Sequence, residues 1–475
     1  MENTNILRPT FIVLNDSQKE RIHSDSLEIL STVGVKVESE EARRIFSRRI
    51  GPNAVRDDIV RIPCEVAHDV LKMAPSTIKI YNRKGDLAFQ LPGDTRFGIG
   101  VTDLYYQDPK NDSVVPFTRE HMALMVRLGE KLPSFDAICT IGILQDVPVN
   151  VLDVYSILDM ISNTIKPLVV LVSDENAFLS VIELMEDLHG DLSSKPFIIP
   201  FVTPIAPLVI NRGTVDKMII SCERGLPVIY SSGAIAGASA PITAAESLCQ
   251  LNAQLLAGLT LSQLIREGTP IILGYSLANL DMKGQGLFTD PNSHLVNHVC
   301  AEMMDYYHLP HYGRSGSGMG WGADIIHSGQ QWMNHLISCM GKVGLAAFVG
   351  SILDFKVFSP AVVVYANEVI EQARLFAKGL SYDDNLVALD EIAEAGPGGN
   401  FLSSDLTLNR FRQAYYQSDI FPQLTLEAWQ EKGSPRADDI LRRYTKDLID
   451  SLTAPADYGD LMEQGRAFIR KMKSH

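Results

Sequence analysis

The sequence predicts an α/β protein built on a (β/α)8 TIM barrel, with an N-terminal α+β extension and a C-terminal helical region. From residue 96 onward, short apolar strand-like runs alternate with helical patterns, and eight such units can be counted. Several of the runs begin just after Pro or Gly at a helix end, as αβ connections favour. Eight strand–helix units indicate a closed parallel barrel rather than an open sheet. The expected strands are Arg96–Val101, Ala137–Ile143, Pro167–Val172, Pro196–Val202, Leu226–Tyr230, Pro270–Tyr275, Pro310–Arg314 and Phe348–Leu353, followed by helices at 118–132, 150–163, 174–188, 211–224, 241–267, 293–308, 327–346 and 360–378.

Three regions are therefore expected, at 1–95, 96–380 and 381–475. The first mixes helices with short strands, and its Asp16–Val33 segment has an apolar face at helical spacing before Gly34. The last is rich in charge and helical in pattern. In it, Trp429 and the Tyr415–Tyr416 pair are available to pack on the barrel.

Composition narrows the classes of protein to consider. With 46% apolar and 21% charged residues, the chain has the balance of an ordinary globular protein, and no run of about 18 apolar residues predicts a membrane span. The N-terminus shows no signal peptide, and the six Cys are scattered without a Cys-x-x-Cys pair, so we expect reduced thiols and a cytoplasmic location. The net charge of −15 argues against nucleic acid and anionic membranes as partners.

A barrel of this kind carries its chemistry at the carboxyl ends of its strands. The residues at those ends are rich in amides, hydroxyls and aromatic rings and poor in Lys and Arg, which suits a cation held by π faces. Trp321, Phe355 and Phe358 lie just past two adjacent strands, so we expect them to converge on one volume as a cation cage.

Two stretches of sequence point to a known family. The run Pro310–Arg314 opens into a glycine-rich loop, Ser315–Asp324, and then into a helix that carries Gln330-Gln331-Trp332. The second stretch is Gly396–Leu402, followed by Thr407–Arg412. Together they resemble the trimethylamine methyltransferase family of corrinoid-dependent amine methyltransferases. The chain departs from the family pattern at Leu406, where a His is usual, and at Thr425-Leu426, where an Asp-Arg pair is often found.

The resemblance implies a substrate class as well as a reaction. Gln331 stands where founding members carry pyrrolysine, so the chain looks like the non-pyrrolysine branch, whose known members demethylate quaternary amines such as betaines. The reaction implied is transfer of an N-methyl group from glycine betaine to the Co(I) corrinoid of a separate corrinoid protein, giving dimethylglycine. When a quaternary ammonium loses a methyl group, the leaving group is a neutral tertiary amine, so the substrate needs no covalent activation. By the same resemblance, no metal site and no tightly bound cofactor are expected, because cobalamin is supplied in trans.

The resemblance and the strand-end rule assign roles to particular residues. Gln330, Gln331 and His327 are the expected catalytic residues. Tyr275 and Asn279 join the three cage aromatics as expected substrate-binding residues. The expected corrinoid-facing residues are Gly316, Gly318, Gly320 and Asp324. We also expect a homo-oligomer.

Several alternatives remain open. Another betaine or a carnitine-like amine would use the same chemistry. His294, His298 and Glu302 share one helical face at i, i+4 and i+8, which would suit a metal-dependent TIM-barrel hydrolase. The third alternative is a non-catalytic quaternary-amine binding protein. Metal analysis would single out the hydrolase, and methyl transfer to free Co(I) cobalamin would separate an enzyme from a binding protein.

Overall fold

Eight parallel strands form the centre of the molecule. The structure is a computed structural model and describes residues 6–100, 102–284, 286–314, 320–381 and 389–472. The barrel strands are β1 (Arg96–Ile99), β2 (Ala137–Cys139), β3 (Leu168–Val170), β4 (Ile198–Val202), β5 (Val228–Ala236), β6 (Ile271–Leu280), β7 (Tyr312–Arg314) and β8 (Leu345–Val349).

The strands close into a ring. Hydrogen-bonded parallel pairs run in sequence from β1 to β6, while β8 pairs with both β1 and β7. The remaining gap, between β6 and β7, is bridged where Leu273 lies parallel to His311 and the Leu273 amide donates to the Pro310 carbonyl at 3.1 Å. The predicted TIM-barrel fold is confirmed.

Each strand is followed by a helix on the outside of the barrel. The helices are α1 (Arg119–Lys131), α2 (Leu152–Asn163), α3 (Phe178–His189), α4 (Arg212–Glu223), α5 (Ala244–Ile265), α6 (Pro291–Tyr306), α7 (Ile325–Met340) and α8 (Pro360–Lys378). The barrel interior is a separate apolar cluster that includes Val169, Ile199 and Leu345. The hairpin Ile78–Tyr81/Leu87–Leu91 contributes to the same cluster, so it packs against the barrel core from the N-terminal extension.

Two strand predictions need correction. The last strand was expected at Phe348–Leu353 but lies at Leu345–Val349, because α7 ends at Met340 and the chain enters the sheet at once after Gly344. The expected helix at 327–346 included Ala346, and neither expected element included Ala347. Strands β5 and β6 are longer than expected and pair over nine residues, so Tyr275, expected as the last residue of its strand, lies in the middle of β6.

The flanking regions are largely helical. The N-terminal extension has helices at Asp16–Glu28, Glu40–Ile50 and Cys64–Met73 and short strands at Val35–Val37, Val55–Arg56 and Ile59–Val60. The C-terminal helices are α9 (Leu389–Ala395), α10 (Asp405–Ala414), α11 (Leu426–Glu431), α12 (Ala437–Asp450) and α13 (Tyr458–Met472). Among the described residues, no helix is both long and apolar enough to cross a membrane, and all six Cys are free thiols.

Candidate functional site

The loop after β7 is fixed to the start of α7 by Asp324. Its Oδ1 accepts hydrogen bonds from the amides of Ile326 at 3.0 Å and His327 at 2.8 Å, and its Oδ2 accepts one from the amide of Trp321 at 2.7 Å. Asp324 therefore caps the helix, and both of its carboxylate oxygens are engaged by backbone. Gly320 is needed for close packing, since a Cβ there would lie 2.6 Å from the Cβ of His327.

One buried face of α7 carries a row of polar side chains. His327, Gln331 and His335 recur every fourth residue, and all three are fully buried. The His335 ring packs edge-on against Phe97 of β1, with ring centroids 5.3 Å apart. The row therefore lies between α7 and the outer wall of the barrel, with its His327 end towards the carboxyl ends of the strands.

The three side chains are joined by hydrogen bonds that run in one direction. His335 Nε2 lies 2.8 Å from Gln331 Oε1, and Gln331 Nε2 lies 2.7 Å from His327 Nε2. With the amide in this orientation, His335 donates to Gln331 and Gln331 donates to His327. His327 Nε2 is then an acceptor, so the ring proton of His327 is on Nδ1. Nδ1 is buried and has no partner among the residues the structure describes, which leaves a donor at the mouth end of the row.

Both histidines of the row are neutral at pH 7. Burial lowers the pKa of His327 to about 4 and that of His335 to about 3, since desolvation disfavours the imidazolium form. No imidazolium charge in this row opposes a cationic ligand nearby.

These shifts predict a pH dependence of stability. A His in the unfolded chain titrates near pH 6.5. Between pH 6 and pH 4 the unfolded chain therefore binds a proton at position 335 that the native protein does not bind. Because the unfolded state binds more protons, the free energy of unfolding falls as the pH falls. We expect His335→Gln to make that fall shallower by about 1.4 kcal/mol per pH unit. Urea unfolding at several pH values measures it, with the exposed His308→Gln as control. An unchanged slope in His335→Gln would contradict the buried neutral imidazole.

Three aromatic rings meet inside the barrel near its carboxyl end. Phe201 of β4, Tyr312 of β7 and Phe348 of β8 have ring centroids 5.3 to 5.7 Å apart. Tyr312 and Phe348 are buried, while Phe201 keeps part of its surface open. Phe348 has φ +71, and the pairing of β8 with β1 shifts register at this point. A strained backbone here is typical of a functional position.

A buried carboxylate stands at the same end of the barrel. Asp103 follows β1, is fully buried, and accepts a hydrogen bond from Ser351 Oγ at 2.6 Å. Ser351 follows β8, so this bond joins the ends of two neighbouring strands. Aromatic faces of this kind can attract an organic cation through the ring quadrupole.

The structure does not bring the three predicted cage aromatics together. Trp321 is 72% exposed and lines an outer groove of about 910 Å3 shared with Trp429. Phe355 lines a different cavity, and Phe358 is fully buried against Phe117 at a centroid distance of 6.5 Å.

The other predicted substrate-binding residues are engaged elsewhere. The Tyr275 hydroxyl donates to the Val296 carbonyl at 3.1 Å, and the Asn279 amide donates to Asp290 Oδ1 at 2.8 Å. Both therefore tie β6 to α6. Gln330 is half-buried beside Gln331, and Gly316 and Gly318 lie outside the described residues.

The residues of the metal alternative have other partners. Glu302 accepts hydrogen bonds from the amides of Val13 at 2.6 Å and Leu14 at 2.9 Å, so it anchors the N-terminal segment. His298 Nε2 lies 3.8 Å from Glu302, and His294 lines the cavity beside it. Within the described part of the chain, no group of three or more His, Cys, Asp or Glu side chains could hold a metal ion.

Sequence reasoning missed part of this constellation. Phe201 and Tyr312 could have been found from the alternation of inward and outward residues along their strands. Phe348 could not, since the register shift in β8 decides its orientation. His335 could have been found from its i+8 spacing from His327.

The closed (β/α)8 barrel, with its polar and aromatic residues at the carboxyl ends of the strands, places the protein among TIM-barrel enzymes. Within that class, the chain belongs to the trimethylamine methyltransferase (MTTB) family, whose model matches residues 2–475. It is therefore a methyltransferase.

Relatives and one solved structure agree with this assignment. The trimethylamine methyltransferase MttB of Desulfitobacterium hafniense is 27% identical over 446 residues, which cover 92% of this chain and 88% of that protein. A glycine betaine methyltransferase from another strain of the same species is 24% identical over 461 residues, covering 94% and 95%. The crystal structure of the Methanosarcina barkeri monomethylamine methyltransferase has a TM-score of 0.56 at 11% identity, covering 94% of this chain and 89% of that one, and it supports the fold.

Proposed function

We propose that this methyltransferase removes one N-methyl group from a quaternary amine, with glycine betaine as the first candidate, and transfers it to the Co(I) corrinoid of a separate protein. Dimethylglycine would be the second product. Another betaine or a carnitine-like amine would fit the same chemistry.

The observation that carries the proposal is the environment of Gln331. An ordinary amide stands at the position that resembles the pyrrolysine site, and it is fully buried between two histidines. A primary amide held in this way offers no electrophilic centre for an amine to add to. A substrate that needs no covalent activation is therefore favoured.

Leaving-group chemistry supports a quaternary substrate. When the N–CH3 bond of a quaternary ammonium breaks, the electron pair stays on nitrogen and a neutral tertiary amine departs. The corrinoid supplies the nucleophile, since Co(I) accepts the methyl group and becomes methyl-Co(III). A neutral tertiary amine substrate would instead leave as an amide anion unless a group of the protein protonated it, and the neutral His327 and His335 are poor acids for that purpose.

The protein's contribution would be binding and orientation. The rings of Phe201, Tyr312 and Phe348 would hold the trimethylammonium group, with the carboxyl group of Asp103 at the same end of the barrel. The free Nδ1–H of His327 would donate to the substrate carboxylate, and Gln331 would hold the imidazole in the tautomer that makes this possible. Gln330 is a further candidate for contact with the substrate.

The experiment is a methyl-transfer assay with free cobalamin. The purified protein is mixed with Co(I) cobalamin and a panel of quaternary and tertiary amines, and the absorbance change to methyl-Co(III) is followed. We expect glycine betaine or a related quaternary amine to methylate cobalamin, and trimethylamine to give no comparable rate. Turnover of trimethylamine at a similar rate would overturn the substrate class, while no transfer from any amine would favour a binding protein.

A further inference from the structure

A helical hairpin in the C-terminal region keeps all of its described side chains at or near the surface. This arm, residues 389–415, consists of α9, a glycine-rich turn and α10. Of the side chains that the structure describes between 389 and 419, none is buried. Tyr415, which the sequence suggested would pack on the barrel, is 73% exposed.

The exposed surface of the arm is strongly apolar. It carries eight large apolar side chains that are each more than 40% exposed, with Leu402 at 81% and Leu408 at 57%. A cluster of large apolar side chains left exposed in this way marks an interaction surface.

The arm nevertheless has a defined shape and a fixed base. Gly396 and Gly398 have φ values of +66 and +84, so the turn depends on backbone that L side chains rarely adopt. The Leu406 amide of α10 donates to Glu391 Oε1 of α9 at 3.3 Å, which joins the two helices. At the base, the Tyr416 hydroxyl donates to the buried Glu368 of α8 at 2.8 Å, and Ser418 Oγ donates to the same carboxylate.

The charges of the arm are self-complementary. Helix α9 carries Asp390, Glu391 and Glu394 and no basic residue, whereas α10 carries Arg410 and Arg412 against a single acid. Across a two-fold axis the same patch of each subunit meets itself, so α9 of one copy can lie against α10 of the other with opposite charges facing.

We propose that the arm is the contact surface between two copies of this chain. Its apolar side chains offer on the order of 800 Å2, the area that each partner contributes to a stable interface of standard size. A second copy of the chain can cover this surface permanently. A corrinoid protein that delivers and removes its cofactor must dissociate in each cycle, and its departure would expose the apolar surface to water. Permanent interfaces are the more hydrophobic ones.

The test measures the mass of the full chain in solution by analytical ultracentrifugation at micromolar concentration. We expect the wild type to sediment as an assembly of two or more 52.4-kDa chains. The variant Leu402→Glu/Leu408→Glu should weaken self-association by roughly 100-fold or more, because it places carboxylates in an apolar contact. Neither side chain is buried in its own chain, so the far-UV circular dichroism should not change.

The matched control is Met282→Glu/Leu87→Glu. These side chains are 83% and 55% exposed, against 81% and 57% in the arm. The control should keep the wild-type mass. A monomeric wild type, or an arm variant that stays associated, would overturn the inference. A monomeric wild type whose arm variant methylates free cobalamin normally but fails with a corrinoid protein would assign the arm to that partner instead.

Discussion

The His327→Phe variant is expected to bind glycine betaine roughly 10- to 100-fold more weakly than the wild type, because a buried hydrogen bond to a charged group is lost. The donor is Nδ1–H, which has no partner among the described residues and is held in place because Gln331 Nε2 donates to His327 Nε2 at 2.7 Å. Tetramethylammonium lacks a carboxylate, so its affinity should change by less than about threefold. Titration calorimetry with both ligands measures the difference.

The control for this prediction is His335→Phe. It makes the same substitution on the same buried face of α7, about two helical turns further from the barrel mouth. It should lower stability, since Gln331 Oε1 loses its donor, but change betaine affinity by less than about threefold. If His327→Phe weakens betaine and tetramethylammonium equally, the carboxylate contact is wrong and His327 has only a structural role.

Most of the fold could be predicted from the sequence. The alternation of strand and helix patterns is repeated eight times, so an error in one element does not alter the architecture. The misplaced strand shows where this reasoning fails. Ala346 and Ala347 suit a helix as well as a strand, and only pairing with β1 and β7 decides between them.

The candidate site was harder to predict because strand ends say where a residue sits in the chain, not which way its side chain points. Phe358 comes at the expected place but packs into the core against Phe117. Asp324 comes at the expected place but caps α7. Gln331 was selected by resemblance, and its two histidine partners are set by the four-residue repeat of a buried helix face.

Replacing both Phe201 and Phe348 by Leu is expected to weaken glycine betaine binding by roughly 100-fold or more. A cation–π contact with a desolvated ammonium contributes about 2 kcal/mol, or about thirtyfold in affinity, and two rings are changed. Leu keeps most of the apolar volume and removes the ring quadrupole. The matched control is Trp321→Leu, which removes an aromatic ring that is 72% exposed in the outer groove. It should leave affinity unchanged.

The isostere 3,3-dimethylbutanoate, which lacks the cationic charge of glycine betaine, distinguishes binding by the π faces from binding by shape alone. It has the carboxylate and the methyl groups of glycine betaine, with carbon in place of the charged nitrogen. Loss of the rings should therefore weaken betaine strongly and this isostere by less than about fivefold, since only the cation interacts with the quadrupole. Equal losses for the two ligands would mean that the rings act by filling space. A loss in Trp321→Leu with none in Phe201→Leu/Phe348→Leu would instead place the cation in the groove beside Trp321, where the sequence first predicted an aromatic contact.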